Sequence, residues 1–299
     1  MPIKNSFSVL LCNFKLVGKI LFFILIIMLI ASAVLMSIAS PVLKAYFQKM
    51  QEEAPVSADE FLKHPIKSME RFLDFFIEFT KENPALVNTR VLFLILTLVI
   101  SRFLLFLPML PVTKILHQKM TTGFDAGLTN AFVNTLWQNL VFGLVFSIVI
   151  GLADIGILIG LVYLTSWLMS VIKILALPIG LLLALVIFSF RMTLFCQWLP
   201  EYFRNEPKNV FLSLGDGFKT CFKGFGKNYI CIFVMTTVGF TLMSVSFLPT
   251  FGLMPALLVP TFMVFYSALC LCLNYSYHKH KYFTDNGVTV YNPIKKVDL

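Results

Sequence analysis

The chain has 299 residues, 58% of them hydrophobic and only 13% charged, with a net charge of +9 and a mean hydropathy of +0.86. A soluble domain carries about a quarter charged residues, so these few cannot coat a water-exposed surface of this size. That excludes a soluble enzyme, and the basic residues, which follow the flanks of apolar runs, do not mark a nucleic-acid-binding surface.

A helix needs roughly 20 apolar residues to cross the hydrocarbon core, and six stretches qualify. In chain order they cover about 19–40, 91–112, 139–163, 174–199, 229–249 and 253–275. The third and fourth are divided at "TSWLMSVIK", where Thr165, Ser166, Ser170 and Lys173 make the clearest polar break. "ASA" at Ala31–Ala33 resembles a signal-peptide cleavage site, but the first apolar run is longer than a signal core of about 7–15 residues, so it reads as an uncleaved helix.

Lys and Arg in the flanks set the orientation. With the N-terminus inside, the inner segments (1–19, 113–138, 200–228 and 276–299) hold 14 Lys/Arg against six Asp/Glu, while the outer ones are nearly neutral. Both termini are therefore expected in the cytosol. The six cysteines all fall in spans or inner segments, so no disulfide framework is implied.

Residues 41–90 form the one sizeable outer segment. Within it Ile66, Met69, Leu73, Phe76 and Ile77 recur at three- and four-residue spacing, with Lys67, Arg71, Asp74 and Glu78 opposite. This predicts an amphipathic helix that lies on the outer leaflet or caps the bundle, or else serves as a lid or docking surface.

The chain also repeats itself. "RFLLFLPMLP" from Arg102 and "RMTLFCQWLP" from Arg191 lie 89 residues apart, and the same offset carries Asn139 onto Asn228. Gly123-Phe124 and Gly217-Phe218 follow at a different offset, 94, which predicts compensating insertions in the loops. The N-terminal "NSFSVLLCNFKLVGK" reads as a third, weaker copy. The repeat unit is a descending helix with an arginine, an interfacial helix and an ascending helix, a parallel arrangement also found in transporters.

Arg102 and Arg191 each stand nine residues before the proline, about 13 Å above the inner boundary. An arginine at that depth costs about 2–3 kcal/mol or more. Three roles stay open: snorkelling to lipid phosphate, tying helices together through carbonyls or Asp154, and binding an anionic substrate or headgroup. Asp154, the acid within a span, lies nearer the outer side, so a direct pair needs helix tilt or a break. It reads as a hydrogen-bonded packing residue beside a Gly156/Gly160 small-residue face, with a proton or cation site as the alternative.

Lys219, Lys223 and Lys227 recur every four residues and are expected on one face of an interfacial helix, against anionic headgroups. Cys270, Cys272, His278 and His280 lack the spacings of zinc ligands, so no metal and no cofactor are expected. No phosphate-loop, dinucleotide or hydrolase motif occurs, and no catalytic residues are assigned.

"FRMTLFCQWLPEYFRNEP", then "LSLGDGFKTCFKGFGKNY", then a last span with "FMVFYSAL", resembles a group of uncharacterised bacterial polytopic membrane proteins related to the membrane domain of some glycerophosphodiester phosphodiesterases. The resemblance covers about a quarter of the chain, from Phe190 to Leu269. It implies an all-helical bacterial inner-membrane protein and brings no catalytic residues.

The expected fold is an all-α membrane protein: six transmembrane helices, interfacial amphipathic helices and a tandem helix-pair repeat. The leading functional expectation is a non-enzymatic accessory component that binds anionic lipid or a membrane protein partner. The alternatives are a transporter or channel for a small anionic substrate lined by Arg102 and Arg191, and a lipid-acting enzyme.

Overall fold

A computed structural model describes residues 2–53, 75, 78–79, 81–123, 127–172, 176–204, 209–250, 253–284 and 289–290. Among these the chain forms eleven helices and one short antiparallel ribbon. The helices are α1 (Pro2–Cys12), α2 (Phe14–Glu53), α3 (Pro84–Phe106), α4 (Met109–Thr122), α5 (Leu128–Asn134) and α6 (Leu136–Ile172). They continue with α7 (Ala176–Phe195), α8 (Trp198–Arg204), α9 (Val210–Lys223), α10 (Phe225–Thr250) and α11 (Leu253–His278). Strand β1 (Tyr282–Phe283) pairs with β2 (Thr289–Val290). Six stretches are long and apolar enough to span a membrane: Phe14–Lys49, Val99–Thr122, Leu136–Thr165, Pro178–Arg204, Phe225–Ser246 and Leu258–His278. The protein is an all-α membrane protein.

Two compact units divide the chain, one of residues 25–104 and one of residues 1–24 with 105–299. In the smaller unit α2 runs on well past residue 40, through Pro41, to Glu53. Its 40 residues measure about 60 Å, twice the hydrocarbon thickness. Tyr46 on this extension stacks edge-on against Phe75 and Phe79, both buried, and Lys49 pairs with Glu82. Glu78 is exposed, as the amphipathic pattern predicts; the apolar face from Ile66 to Ile77 lies outside the described residues.

The larger unit is built on elbows. Helices α3 and α4 are separated by a turn at Leu107–Pro108, and α7 and α8 by a turn at Cys196–Gln197, 89 residues on. The shared prolines explain both breaks. A proline ring clashes with the carbonyl four residues back, and four residues before Pro111 and Pro200 stand Leu107 and Cys196. Each proline then sits in the first turn of the restarted helix, where its missing N–H costs nothing.

A second set of elbows falls at Asn13, Thr135 and Gly224, where a short helix (α1, α5, α9) meets a long apolar one (α2, α6, α10). All three share one burial register. The residue four before the elbow (Val9, Ala131, Thr220) and the residue four after it (Val17, Asn139, Asn228) are buried. The residue two before it is open: Leu11 57%, Val133 64% and Phe222 62% exposed. The N-terminal segment thus shares this elbow, and it packs on α11 as α5 packs on α4 and α9 on α8.

The compensating insertions are not found. Gly123 ends α4 in the left-handed conformation, φ 76°, whereas Gly217 lies inside α9 with its Cα face 3.0 Å from the Trp198 backbone, measured to where a Cβ would stand. The two Gly-Phe pairs are therefore not equivalent. The interfacial segments keep the same total length but divide it differently: α4 has 14 residues and α5 seven, whereas α8 has seven and α9 14.

The core of this unit lies at the elbow end. Every residue of α11 from Ser267 to Ser276 is buried, surrounded by α1, α4, α8 and α10. Beside it an aromatic cluster joins α6 to α8, with Trp198 5.3 Å from Phe142 and 5.2 Å from Phe146, ring to ring.

Candidate functional site

Arg191 on α7 donates to Asp154 on α6, Nη2 to Oδ2 2.7 Å, with the two side chains 17% and 13% exposed. The pair forms without a break in α6, which does not end at Thr165. The Thr165 hydroxyl donates back to Leu161 O at 2.7 Å, so the polar residues are absorbed and the helix continues to Ile172. Asp154 then stands 18 residues before the end of α6, and Arg191 15 residues after the start of α7. That is about 27 and 22 Å of helix, a difference of less than one helical pitch. Close contact within the hairpin comes at Gly180, where a Cβ would stand 2.8 Å from the Thr165 methyl. At Gly156 and Gly160 a Cβ would meet nothing within 4 Å, so neither is a close-packing face among the described residues.

Arg102 lies half-buried on α3 in the smaller unit. Counted from the elbow residue, the place that Asp154 holds in α6 belongs in α2 to Ser32, whose hydroxyl donates to Leu29 O. The repeat thus keeps the arginine position in the sequence, with Ser32 at the place that Asp154 holds in the other copy.

The three lysines do not share one helix face. Lys219 and Lys223 are exposed on α9, with Lys219 3.6 Å from Asp216, but Lys227 lies beyond the Gly224 elbow, on α10, and donates to Ser276 Oγ at 2.9 Å. Cys270 and Cys272 are buried in α11, and among the described residues no group of His, Cys, Asp and Glu is placed to hold a metal.

A cluster that no motif in the sequence announced lies at the foot of α11. Glu201 on α8 is 2% exposed. Its Oε1 accepts from Asn274 Nδ2 at 2.9 Å and Thr220 Oγ1 at 3.0 Å, and lies 2.8 Å from His278 Nε2. The second amide hydrogen of Asn274 goes to Gln197 Oε1 at 3.0 Å. Arg204 closes the cluster, its Nη1 3.6 Å from Glu201 Oε2 and 2.7 Å from His278 Nε2. Burying a carboxylate is costly unless hydrogen bonds compensate it, and these helices and the α7–α8 turn provide them. The signal was present: Gln197, Glu201 and Arg204 fall on one helical face, as do Asn274 and His278, but ending the fourth span at residue 199 put Glu201 in a turn. In the other copy the same places hold Pro108, Val112 and Ile115, the last two buried and apolar.

Next to this cluster His117 stacks on Phe203 with 5.8 Å between rings and hydrogen-bonds Tyr275 OH, while Asn5 donates to Tyr282 OH at 2.7 Å. These contacts join α1, α4, α8, α11 and β1. Burial pushes the Tyr282 phenol well above its ordinary pKa. Comparison with family models, curated proteins and solved structures returned no match.

Proposed function

We propose that this protein is a non-enzymatic component of a bacterial inner membrane, with both termini and the elbow end on the cytosolic side, where it contacts anionic lipid and seats a membrane protein partner. The observation that carries the reading is the threefold elbow. Each copy presents apolar side chains beside the interface: Leu11 and Phe14, Val133 and Trp137, Phe211 and Phe222. Exposed Lys15, Lys19, Lys219 and Lys223 stand next to two of the three. Apolar side chains flanked by lysine are what an anionic leaflet attracts, at about 1 kcal/mol per basic residue near the surface. The excess of Lys and Arg in the same segments supports the orientation.

The engagement of Arg191 by Asp154 supports a structural role for that arginine over a substrate-lined path. A transporter reading requires the guanidinium to exchange Asp154 for a passing anion.

Native mass spectrometry of the protein, gently solubilised from its own membrane, tests the reading. A stoichiometric protein partner or bound anionic lipid supports it. A small anionic metabolite held by the lone protein and lost in the Arg102→Gln/Arg191→Gln variant overturns it in favour of a carrier.

A further inference from the structure

We infer that Arg204, His278 and His280 form a binding site for a phosphate group at the foot of α11. Three cationic or protonatable groups converge there from two elements. Arg204, 39% exposed, ends α8 and brings its Nη1 to 2.7 Å from His278 Nε2. His278 is the last residue of α11, and its ring lies 6.2 Å from that of His280. Lys279 between them holds φ 59°, the left-handed region, and lets the His280 N–H return to Tyr275 O at 3.0 Å. Among the described residues no other non-glycine has a positive φ. With Lys279 left-handed just past the last residue of α11, this bond is a helix C-cap that closes the final turn. Here it turns His280 back beside His278 instead of letting the tail run outward. Lys281 follows, exposed.

The open edge of the cluster carries its basic groups, Arg204 and the exposed His280. Its carboxylate, Glu201, faces inward, and Oε1 is already engaged by Asn274 and Thr220. Nε2 of His278 has one in-plane position. It can offer Glu201 a proton or Arg204 a lone pair, not both, so the two short contacts compete. An acceptor oxygen beside Arg204 and His280 ends the competition: His278 donates to Glu201, and the guanidinium turns to the anion. Burial, then the positive charges of Arg204 and His278, hold the His280 pKa below its ordinary value; a bound anion reverses the second effect. Arg is suited to phosphate by its planar fork of donors, and charge-assisted bonds of this kind are about twice as strong as neutral ones. The phosphate is that of a lipid headgroup or a free phosphate ion.

The lipid source rests on the orientation and lipid contact proposed above; the phosphate chemistry does not. The test uses the full chain in phosphatidylcholine nanodiscs, with imidazole proton–nitrogen spectra of His278 and His280 recorded while inorganic phosphate is added, then in nanodiscs containing phosphatidylglycerol. Two variants accompany it. Arg204→Gln removes the guanidinium, and His280→Gln leaves the backbone bond to Tyr275 and the Glu201 cluster intact, so it stays informative if the first fails to fold. Saturable shifts with inorganic phosphate, at least roughly tenfold weaker in His280→Gln, support the site with a soluble ligand. Shifts with phosphatidylglycerol that phosphate does not displace support it with a lipid ligand. No response to either, or one unchanged in His280→Gln, overturns it. Labelling of Cys12 from the outer side would sink the orientation while leaving a phosphate response standing.

Discussion

The two covalent copies of the repeat, α3–α6 and α7–α10, agree at their elbows and differ between them. The breaks at Leu107–Pro108 and Cys196–Gln197, and at Thr135 and Gly224, keep one offset, while the connection between the interfacial helices has moved, so that 14 and seven residues become seven and 14. The elbows are fixed by covalent chemistry and by burial on α11. The same shift lets chemistry diverge: the register filled by Val112 and Ile115 in one copy carries Glu201 and Arg204 in the other.

The comparison is broken most severely at the Arg191–Asp154 ion pair. Asp154→Asn or Arg191→Gln alone leaves a charge in the bilayer without its partner and is expected to cost about 3–5 kcal/mol. The double substitution should recover part of that loss in a melting experiment on purified protein; strict additivity would show that the pair does not hold the hairpin. Next comes Gly217→Leu, which drives a side chain into the Trp198 backbone and should destabilise by about 1–3 kcal/mol or separate α8 from α9. Its sequence counterpart Gly123→Ala meets no described atom within 4 Å and loses only its left-handed freedom, about 1–2 kcal/mol. Equal effects at the two glycines would mean that the Gly-Phe pairs are equivalent after all.

The smallest expected effect concerns pH. The folded-state pKa of His280 lies below the ordinary 6.5, so the unfolded chain takes up this proton first as pH falls. The contribution of His280 is therefore complete above about pH 6.5 and declines as pH drops below that value. His280→Gln should flatten this part of a stability–pH profile; a profile that keeps its slope would assign the dependence to another group.

Six spans, the positions of Arg102 and Arg191, and the 89-residue offset were legible because composition and proline spacing act locally, on the residues that carry them. Even the third copy was visible, in the resemblance of the N-terminus to the later interfacial segments. The end of α6 was not, since a Thr that bonds its own helix carbonyl looks the same in sequence as one that ends a helix. Nor was Glu201, because an acid after "LP" reads as a turn until the helix is seen to continue through it.

Sequence alone determined that the chain enters a membrane and that its arginine–proline segments recur at one offset, for hydrophobic length and residue spacing need no distant partner. Only the tertiary structure decided that Asp154 reaches Arg191, that α1 packs on α11, and that Glu201, Asn274 and His278 meet. Those contacts join residues far apart in the chain, and burial against other helices sets them.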